Sequence, residues 1–354
     1  MHGRSSMSHR INVVRRRPGN MAVHLRGVIG WHANCIQVCR VECAPAFGND
    51  WEDFVRLFFI LDPAPVNPVL TDVLETLRQR GIHVESGVAE EYLCRSDQSA
   101  PAYDLFILES HTELALSVAA VLHEQGAPLL NPYPGCLAVR NKILAAHILS
   151  RANISTPNSW VTSDFRLLRT LVNRMPLIIK SYMGWPSESF RVVRCADDLA
   201  NLRPPQTPVL IQEYFEAPTD RLEIYVAGEH AFAVRKSSLS TGISAGIENV
   251  SLTPELRGIA ACCGVAFNLS LFGVDLVVCA TGPKVVGMSH FPSYAGVQAA
   301  GVLADYIEGY ATGFYRLSED EISVDAKKAA SPAPVENAPA KMHRGPSRQI
   351  GESP

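Results

Sequence analysis

Short apolar runs alternate with amphipathic stretches over residues 55–130 of the chain. The short runs are typical of buried strands, whereas the intervening stretches repeat their apolar residues at helical spacing. We predict strands at residues 55–61, 81–84, 103–108 and 128–130, and helices at residues 69–80 and 112–125. Because strands and helices alternate in this way, the pattern predicts a small parallel α/β domain.

From residue 136 onward the pattern changes to an α+β arrangement. One helical stripe of apolar residues covers 136–153, and a hairpin with its turn at Gly228-Glu229 covers 222–238. Residues 238–249 read as a loop. The remaining predicted elements are strands at 159–161, 176–181, 192–194, 208–213, 271–278 and 284–288, and helices at 164–173, 196–202, 253–267 and 298–315.

The two ends of the chain lack such patterns. Residues 1–50 show no sustained period, and residues 318–354 are rich in Pro, Ala, Ser and charge, which is typical of a disordered tail. We therefore predict a poorly defined segment at 1–50, an α/β domain at 51–135, α+β subdomains at 136–210 and 211–317, and a tail at 318–354.

Composition narrows the possible partners and the compartment. The chain has 354 residues, of which 47% are hydrophobic and 19% charged, and its formal net charge is −3. This charge gives no electrostatic reason to expect nucleic acid or an anionic membrane as a partner. No apolar run approaches about 18 residues, so no transmembrane helix is predicted. The nine cysteines are an odd number in a long chain, which favours free thiols in the cytoplasm.

Asp275 is the most informative candidate for chemistry. It is the one acid in the otherwise apolar strand predicted at 271–278. A carboxylate rarely occupies such a run without a cation or a hydrogen-bond donor as its partner. The next strand ends at Ser289-His290, where further ligands of the same cation would be expected, and it offers Gly287 and Ser289. The pair of strands therefore predicts a nucleotide–metal site whose ligand set is incomplete.

Several motifs occur in an order that resembles the ATP-grasp enzymes. They are Asn141-Lys142, PLIIK ending at Lys180, VLIQEYF at 209–215, and SLFGVDLVV followed by FPSY at 270–294. The resemblance covers residues 57–310 and is closest to the inositol polyphosphate kinase and ribosomal-protein-glutamate-ligase branches. It implies a small N-terminal parallel α/β domain followed by two α+β subdomains that clamp a nucleotide.

The resemblance also implies ATP and Mg²⁺ as cofactors. It implies phosphate contacts from lysine ammonium groups, an adenine-binding strand end and a magnesium carboxylate. The implied residues are Lys142, Lys180 and Gly184 for phosphates, Gln212, Glu213, Tyr214 and Phe215 for adenine, and Asp275 and Ser289 for the metal. Apart from the resemblance, Arg235 and Lys236 on the second strand of the hairpin are expected to bring basic charge into the same cleft, in partial compensation for residues of the family pattern that this chain lacks, and to act in catalysis.

The chain departs from the family pattern at four places. Gly287 and Ser289 replace an acid and an asparagine, although glycine cannot ligate Mg²⁺ and serine is a weak neutral ligand. Glu223 replaces a basic residue and would repel phosphates. The remaining departures are Trp185-Pro186 in the phosphate loop and Glu109 where relatives tend to have lysine. His290 is open to two interpretations, a ligand or base and, with greater weight, a histidine hydrogen-bonded at a strand end.

These features lead to one main functional hypothesis and two alternatives. The main hypothesis is an ATP-dependent carboxylate–amine ligase, in which ATP phosphorylates a carboxylate and an amine displaces phosphate from the acyl phosphate. Its acceptor would be a small molecule or peptide. The alternatives are a catalytically impaired ATP-grasp-like protein that binds nucleotide, and a small-molecule kinase of the inositol-phosphate type.

Overall fold

The computed structural model describes residues 10–16, 22–28, 55–63, 67–92, 97, 99–183, 190–215, 221–236 and 246–313. The chain divides into two compact units, Met1–Trp51 and Glu52–Pro354. In the first unit, strand β1 (Arg10–Arg16) pairs antiparallel with strand β2 (Ala22–Val28). This hairpin lies in the segment for which the sequence predicts no regular element, and the predicted tail at 318–354 lies outside the described residues.

The second unit begins with a parallel four-stranded sheet. Its strands are β3 (Arg56–Leu61), β4 (His83–Val88), β5 (Leu105–Leu108) and β6 (Leu129–Leu130), and its helices are α1 (Pro68–Gln79) and α2 (Glu113–Glu124). The strand order is β4-β3-β5-β6, and every pairing is parallel. The chain therefore leaves β3 first to one side and then to the other, which makes the β3–β5 boundary the topological switch point of the sheet.

The helical stripe predicted at 136–153 forms two helices. They are α3 (Tyr133–Arg140) and α4 (Lys142–Arg151), and the single-helix prediction is wrong. Asn141 separates them because its backbone is extended, with ψ of 96°, and its side chain accepts hydrogen bonds from the N–H groups of Ile143 and Leu144. This break places Lys142 at the first position of α4.

A four-stranded antiparallel sheet follows, here called the first antiparallel sheet. Its strands are β7 (Ser159–Thr162), β8 (Leu177–Ser181), β9 (Phe190–Val193) and β10 (Val209–Glu213), with short helices α5 (Arg169–Val172) and α6 (Ala196–Ala200). The strand order is β7-β10-β8-β9. Leu177, Ile179 and Val193 are buried in a small core that also holds Leu168 and Val172, so one face of this sheet is covered by helices.

The second antiparallel sheet has five strands. They are β11 (Arg221–Ala227), β12 (His230–Lys236), β13 (Ile247–Val250), β14 (Leu271–Cys279) and β15 (Gly282–His290), with helices α7 (Pro254–Phe267) and α8 (Ala300–Ala311). The order is β13-β12-β11-β14-β15. The loop prediction for residues 238–249 is wrong over its last residues, which form β13. The predicted hairpin turn is correct, and Gly228 there has φ of +60°, a conformation that glycine adopts without strain.

The two faces of the second antiparallel sheet have different surroundings. On one face, Ile224, Val274 and Leu276 lie in the core that includes residues of α7. On the other face, Tyr225 and Leu271 lie in the core that includes residues of α8. The charged residues Arg221, Glu223, Lys236 and Asp275 continue the face of Tyr225, since directly paired and alternate residues share a face. Within the described ranges, no helix has both the length and the apolar character needed to cross a bilayer.

The second unit thus has one parallel sheet followed along the chain by two antiparallel sheets. This order agrees with the predicted fold class, an α/β domain followed by two α+β subdomains in an ATP-grasp arrangement. The domain boundaries at 135 and 210 stay predictions.

Candidate functional site

Lys180 joins the two antiparallel sheets. It lies near the end of β8, and its ammonium group donates to Gln212 Oε1 at 2.8 Å and to the carbonyl oxygen of Val286 at 2.9 Å. Val286 is available because the register shifts between Asp275, which pairs with Gly287, and Leu276, which pairs with Val285. Val286 is thus the extra residue of a β-bulge, a feature that often occurs next to active sites.

Burial changes the ionisation of Lys180. Desolvation, followed by the nearby charge of Lys142, lowers the pKa of Lys180 to about 8, although Asp275 acts in the opposite direction. The backbone N–H of Lys142 donates to the carbonyl oxygen of Tyr182 at 2.7 Å, which ties the start of α4 to the chain after β8. The structure therefore brings together the two lysines predicted to contact phosphates. Gly184, predicted to join them, lies outside the described residues.

The predicted adenine segment lies at the end of β10. Gln212 is 3% exposed and donates through Nε2 to Ser159 Oγ, while Glu213 Oε2 accepts from Asn158 Nδ2 at 3.0 Å. Tyr214 and Phe215 are half-buried. Cationic groups lie over both rings, Arg194 over Tyr214 at 5.6 Å and Lys284 over Phe215 at 5.8 Å. The side chains of Gln212 and Glu213 are thus engaged within the protein, and the two aromatic rings border the segment.

The predicted metal residues are Asp275 and Ser289, and both lie on the charged face of the second antiparallel sheet. Asp275 pairs with Gly287, and a Cβ atom placed on Gly287 would lie 2.9 Å from Asp275 Oδ2. Ser289 pairs with Gly273, which has no side chain and so contributes no ligand atom. The donor set is therefore one exposed carboxylate and one hydroxyl. Among the residues that the structure describes, no group of three or more His, Cys, Asp or Glu side chains could hold a metal ion.

Glu223 and Lys236 form an ion pair beside Asp275. Glu223 pairs directly with Asp275 across the sheet, on the opposite side from Gly287, and its carboxylate contacts the ammonium group of Lys236. Burial and the charge of Asp275 raise the pKa of Glu223. Burial lowers the pKa of Lys236, but the charge and hydrogen bond of Glu223 outweigh it and leave this pKa above its ordinary value. Glu223, expected to repel phosphates, thus has its own cationic partner.

Arg235 lies on the opposite face of the sheet from Lys236. Adjacent residues of a strand point to opposite faces, and Arg235 pairs in register with Leu222 and Glu248. Its guanidinium group donates to Glu248 Oε2 at 3.0 Å. The structure therefore does not bring Arg235 together with Asp275, Glu223 and Lys236. A catalytic role for Lys236 stays a prediction.

A polar cluster at the switch point of the parallel sheet was not found from the sequence. Asp62 follows β3, and its Oδ1 accepts from Ser110 Oγ and from the N–H of His111, both at 2.8 Å. His111 Nδ1 lies 3.3 Å from Asp62 Oδ2. Although burial acts to raise it, hydrogen bonds from His111 and Ser110 lower the pKa of Asp62. An available signal was that Asp62 and the Glu109-Ser110-His111 segment both directly follow buried strands.

His290 connects this cluster to the end of β15. Its Nε2 contacts the carbonyl oxygen of Ser110 at 3.1 Å, and its ring stacks on His111 at 4.5 Å. Burial and the neighbouring His111 lower the pKa of His290 to about 3. Glu109 is also buried, and its Oε2 accepts from the N–H of Asp62 at 3.0 Å. The geometry thus agrees with the structural interpretation of His290, a neutral ring held at a strand end.

Comparison with known proteins places this arrangement in context. Residues 139–307 match the family model of the RimK-like ATP-grasp domain. A curated relative from Shewanella baltica, named a probable alpha-L-glutamate ligase, is 25% identical over 271 residues, covering 69% of this chain and 85% of the relative.

Two solved structures resemble the fold. A RimK domain ATP-grasp protein from Sphaerobacter thermophilus superposes with a TM-score of 0.60 and 20% identity, covering 71% of this chain and 99% of that one. The ATP-grasp ligase PsnB, solved with its minimal precursor, Mg and ADP, gives a TM-score of 0.57 and 18% identity, covering 75% of this chain and 100% of that one. At these identities the likeness concerns the fold.

Proposed function

This chain is an ATP-grasp protein with a RimK-like ATP-grasp domain over residues 139–307, and we propose that it is an ATP-dependent carboxylate–amine ligase. The match confirms the family and fold predicted from the sequence. The curated relative described above carries a ligase name, which favours ligation over the kinase alternative. By analogy with that relative, we propose L-glutamate as the amine substrate and a peptide or small-molecule carboxylate as the acceptor.

The observation that carries this proposal is the placement of Lys180. Its ammonium group lies between the two antiparallel sheets and is held by Gln212 and by the carbonyl oxygen of Val286. Lys142 lies close enough to influence its ionisation. Two ammonium groups near each other can supply point charges for a polyphosphate.

The described residues have distinct roles in the proposed reaction. Lys142 and Lys180 hold the phosphates of ATP, and the half-buried rings of Tyr214 and Phe215 flank the adenine. Transfer of the terminal phosphoryl group to a substrate carboxylate gives an acyl phosphate and ADP. The amine then attacks the acyl carbon, phosphate leaves, and the amine loses one proton. Because charge develops on phosphate oxygens, the positioned ammonium groups stabilise the transition state.

Magnesium does not fit the described residues in the way that the family pattern implies. Gly287 has no donor atom, Ser289 is neutral, and Asp275 is the sole carboxylate of the predicted set. The neighbouring carboxylate of Glu223 is already engaged by Lys236. We therefore derive no step of the reaction through a metal ion.

A second candidate is favoured by the same residues. A protein that binds ATP without turnover would keep Lys142 and Lys180 but would not need the acid at position 287. Ligase and non-catalytic binder make the same prediction for ATP affinity and opposite predictions for ADP release. The two can therefore be separated by measuring both quantities on the same preparation.

The experiment is an ADP-release assay with ATP, L-glutamate and a panel of peptide and small-molecule carboxylates, alongside ATP binding by calorimetry. The ligase proposal predicts ADP release that requires both amine and carboxylate and that is abolished in Lys180→Met. Binding of ATP without ADP release under any pair of substrates, with Mg²⁺ or Mn²⁺ present, favours the non-catalytic candidate. Absence of ATP binding contradicts both.

The compartment is proposed on separate grounds. The cysteines within the described residues, at positions 136, 195, 262, 263 and 279, are free thiols. Free thiols persist in reducing surroundings. This supports a cytoplasmic location, which stays a prediction.

A further inference from the structure

The charged face of the second antiparallel sheet contains its own cation next to the place predicted for a metal. In the row of paired residues that crosses the sheet, Asp275 has Glu223 on one side and Gly287 on the other. The acid expected at 287 is thus missing, whereas an unexpected acid lies on the opposite flank of Asp275. That acid, Glu223, holds Lys236 beside Asp275, because the side chains of Glu223 and Lys236 form an ion pair.

The surroundings hold this lysine in its charged form and in position. Glu223 is 8% exposed, so its carboxylate has little water around it and depends on the ammonium group for neutralisation. The Lys236 side chain is 40% exposed, and its nitrogen lies 5.9 Å from the centre of the Tyr225 ring. The ammonium group therefore contacts the buried acid, while part of the Lys236 side chain remains exposed to solvent.

We propose that Lys236 is the resident cation of the nucleotide site and that, with Lys142 and Lys180, it binds the phosphates of ATP without a divalent metal ion. This inference rests on the proposed nucleotide-binding function. Glu223 orients Lys236 and is a positioning residue. An ammonium group can neutralise phosphate oxygens as a point charge, and this removes the need for the ligands absent at positions 287 and 289.

The test is ATP affinity measured by calorimetry on the full chain, once with EDTA and once with excess Mg²⁺. The wild-type protein is expected to bind ATP in EDTA with an affinity within about threefold of that in Mg²⁺, since no metal bridge is lost. Lys236→Met is expected to weaken binding about tenfold or more in EDTA, the usual size of a lost charge-assisted contact. Calorimetry with Mg²⁺ alone is expected to show no binding to the wild type.

Arg235→Met is the matched control. It removes a basic residue from the same strand at the adjacent position, but from the opposite face, where Arg235 pairs with Glu248. Its ATP affinity is expected to equal that of the wild type. Because Lys236→Met leaves the buried Glu223 without its partner, the double variant Glu223→Gln/Lys236→Met is measured as well. It removes both charges and is expected to bind ATP as weakly as the single variant.

A restoring variant completes the test. Gly287→Asp/Ser289→Asn, added to Lys236→Met, supplies the ligands of the family pattern. A Cβ atom at 287 would lie 2.9 Å from Asp275 Oδ2, and this atom is the end of a flexible side chain that can move aside. ATP binding is expected to recover in Mg²⁺ and to stay weak in EDTA.

Each outcome has a distinct meaning. Wild-type binding that occurs with Mg²⁺ and is lost in EDTA overturns the resident-cation inference and leaves the nucleotide function standing. Equal affinities of wild type and Lys236→Met also overturn it. If the wild type binds ATP under neither condition, the proposed function itself is wrong. Metal-independent binding that depends on Lys236 and not on Arg235 supports the inference.

Discussion

The two antiparallel sheets differ in how much of the family pattern they retain. The first sheet keeps Lys180 and the segment from Gln212 to Phe215, and the structure places Lys180 against Gln212 with a hydrogen bond of 2.8 Å. The second sheet keeps Asp275 but has Gly287 and Ser289 in place of an acid and an asparagine. It also has the ion pair of Glu223 and Lys236, which the pattern does not include.

This difference separates two tasks of a nucleotide site. One task is to hold the phosphates and the base, which requires fixed donors and apolar contacts. The other is to neutralise the phosphate charge, which requires a metal ion or additional cations. The two sheets are in contact at Val286, because the bulge of the second antiparallel sheet supplies the carbonyl oxygen that binds Lys180 of the first. The effects of substitutions in the two sheets on ATP affinity can therefore be compared.

The largest effect on ATP affinity is expected from removing Lys180, the cation of the first antiparallel sheet. Lys180→Met should weaken ATP binding by roughly 10- to 100-fold, because a hydrogen-bonded charge typically contributes about 1.5–3 kcal/mol. Calorimetric titration with ATP measures this loss. Arg191→Met is the control, since Arg191 lies on the neighbouring strand β9 and is exposed. Equal losses in both variants would mean that the effect is a general loss of positive charge.

A smaller effect is expected from pH. Because the pKa of Lys180 is lowered to about 8, the free protein loses this charge as the pH rises through that value, whereas bound phosphate favours the charged form. ATP affinity should therefore fall by roughly tenfold between about pH 7.5 and pH 9, as expected for one proton. Below about pH 7 the affinity should show no further gain from this lysine.

Lys180→Arg provides the comparison for this pH effect. Arginine stays protonated over the whole range, so the variant should bind ATP with a flat profile at high pH. The measurement is affinity across pH in buffers of different ionisation enthalpy, which also reports the proton taken up on binding. If the wild-type affinity were as independent of pH as that of the arginine variant, Lys180 would not lose its charge near pH 8.

Much of the fold could be predicted because its strands are apolar and its turns carry clear signals. The strand predicted at 271–278 is observed at Leu271–Cys279, and the hairpin turn at Gly228-Glu229 is correct. The break at Asn141 could not be seen, since the apolar stripe continues on both sides of it. Strand β13 was missed because three of its four residues are exposed, so pairing with β12 rather than apolar periodicity defines it.

The site was less predictable, for reasons of geometry. Sequence adjacency suggested that Arg235 and Lys236 act together, but alternation along β12 places them on opposite faces. The contact of Lys180 with Val286 depends on a register shift that two strands produce jointly. The cluster of Asp62 and His111 depends on strand order in the parallel sheet. Residue type therefore identified candidate groups, whereas their partners followed from pairing between distant segments.

The smallest effect on ATP affinity is expected from replacing Asp275. This replacement tests most directly whether the second antiparallel sheet still binds a metal ion. If the carboxylate no longer holds a metal ion, Asp275→Asn should change ATP affinity by no more than about threefold, toward tighter binding, because it removes an exposed negative charge that solvent already screens. Calorimetry in EDTA and in Mg²⁺ should give the same result. A loss confined to the Mg²⁺ titration would show that Asp275 still ligates a metal, and the two sheets would then share the neutralising task.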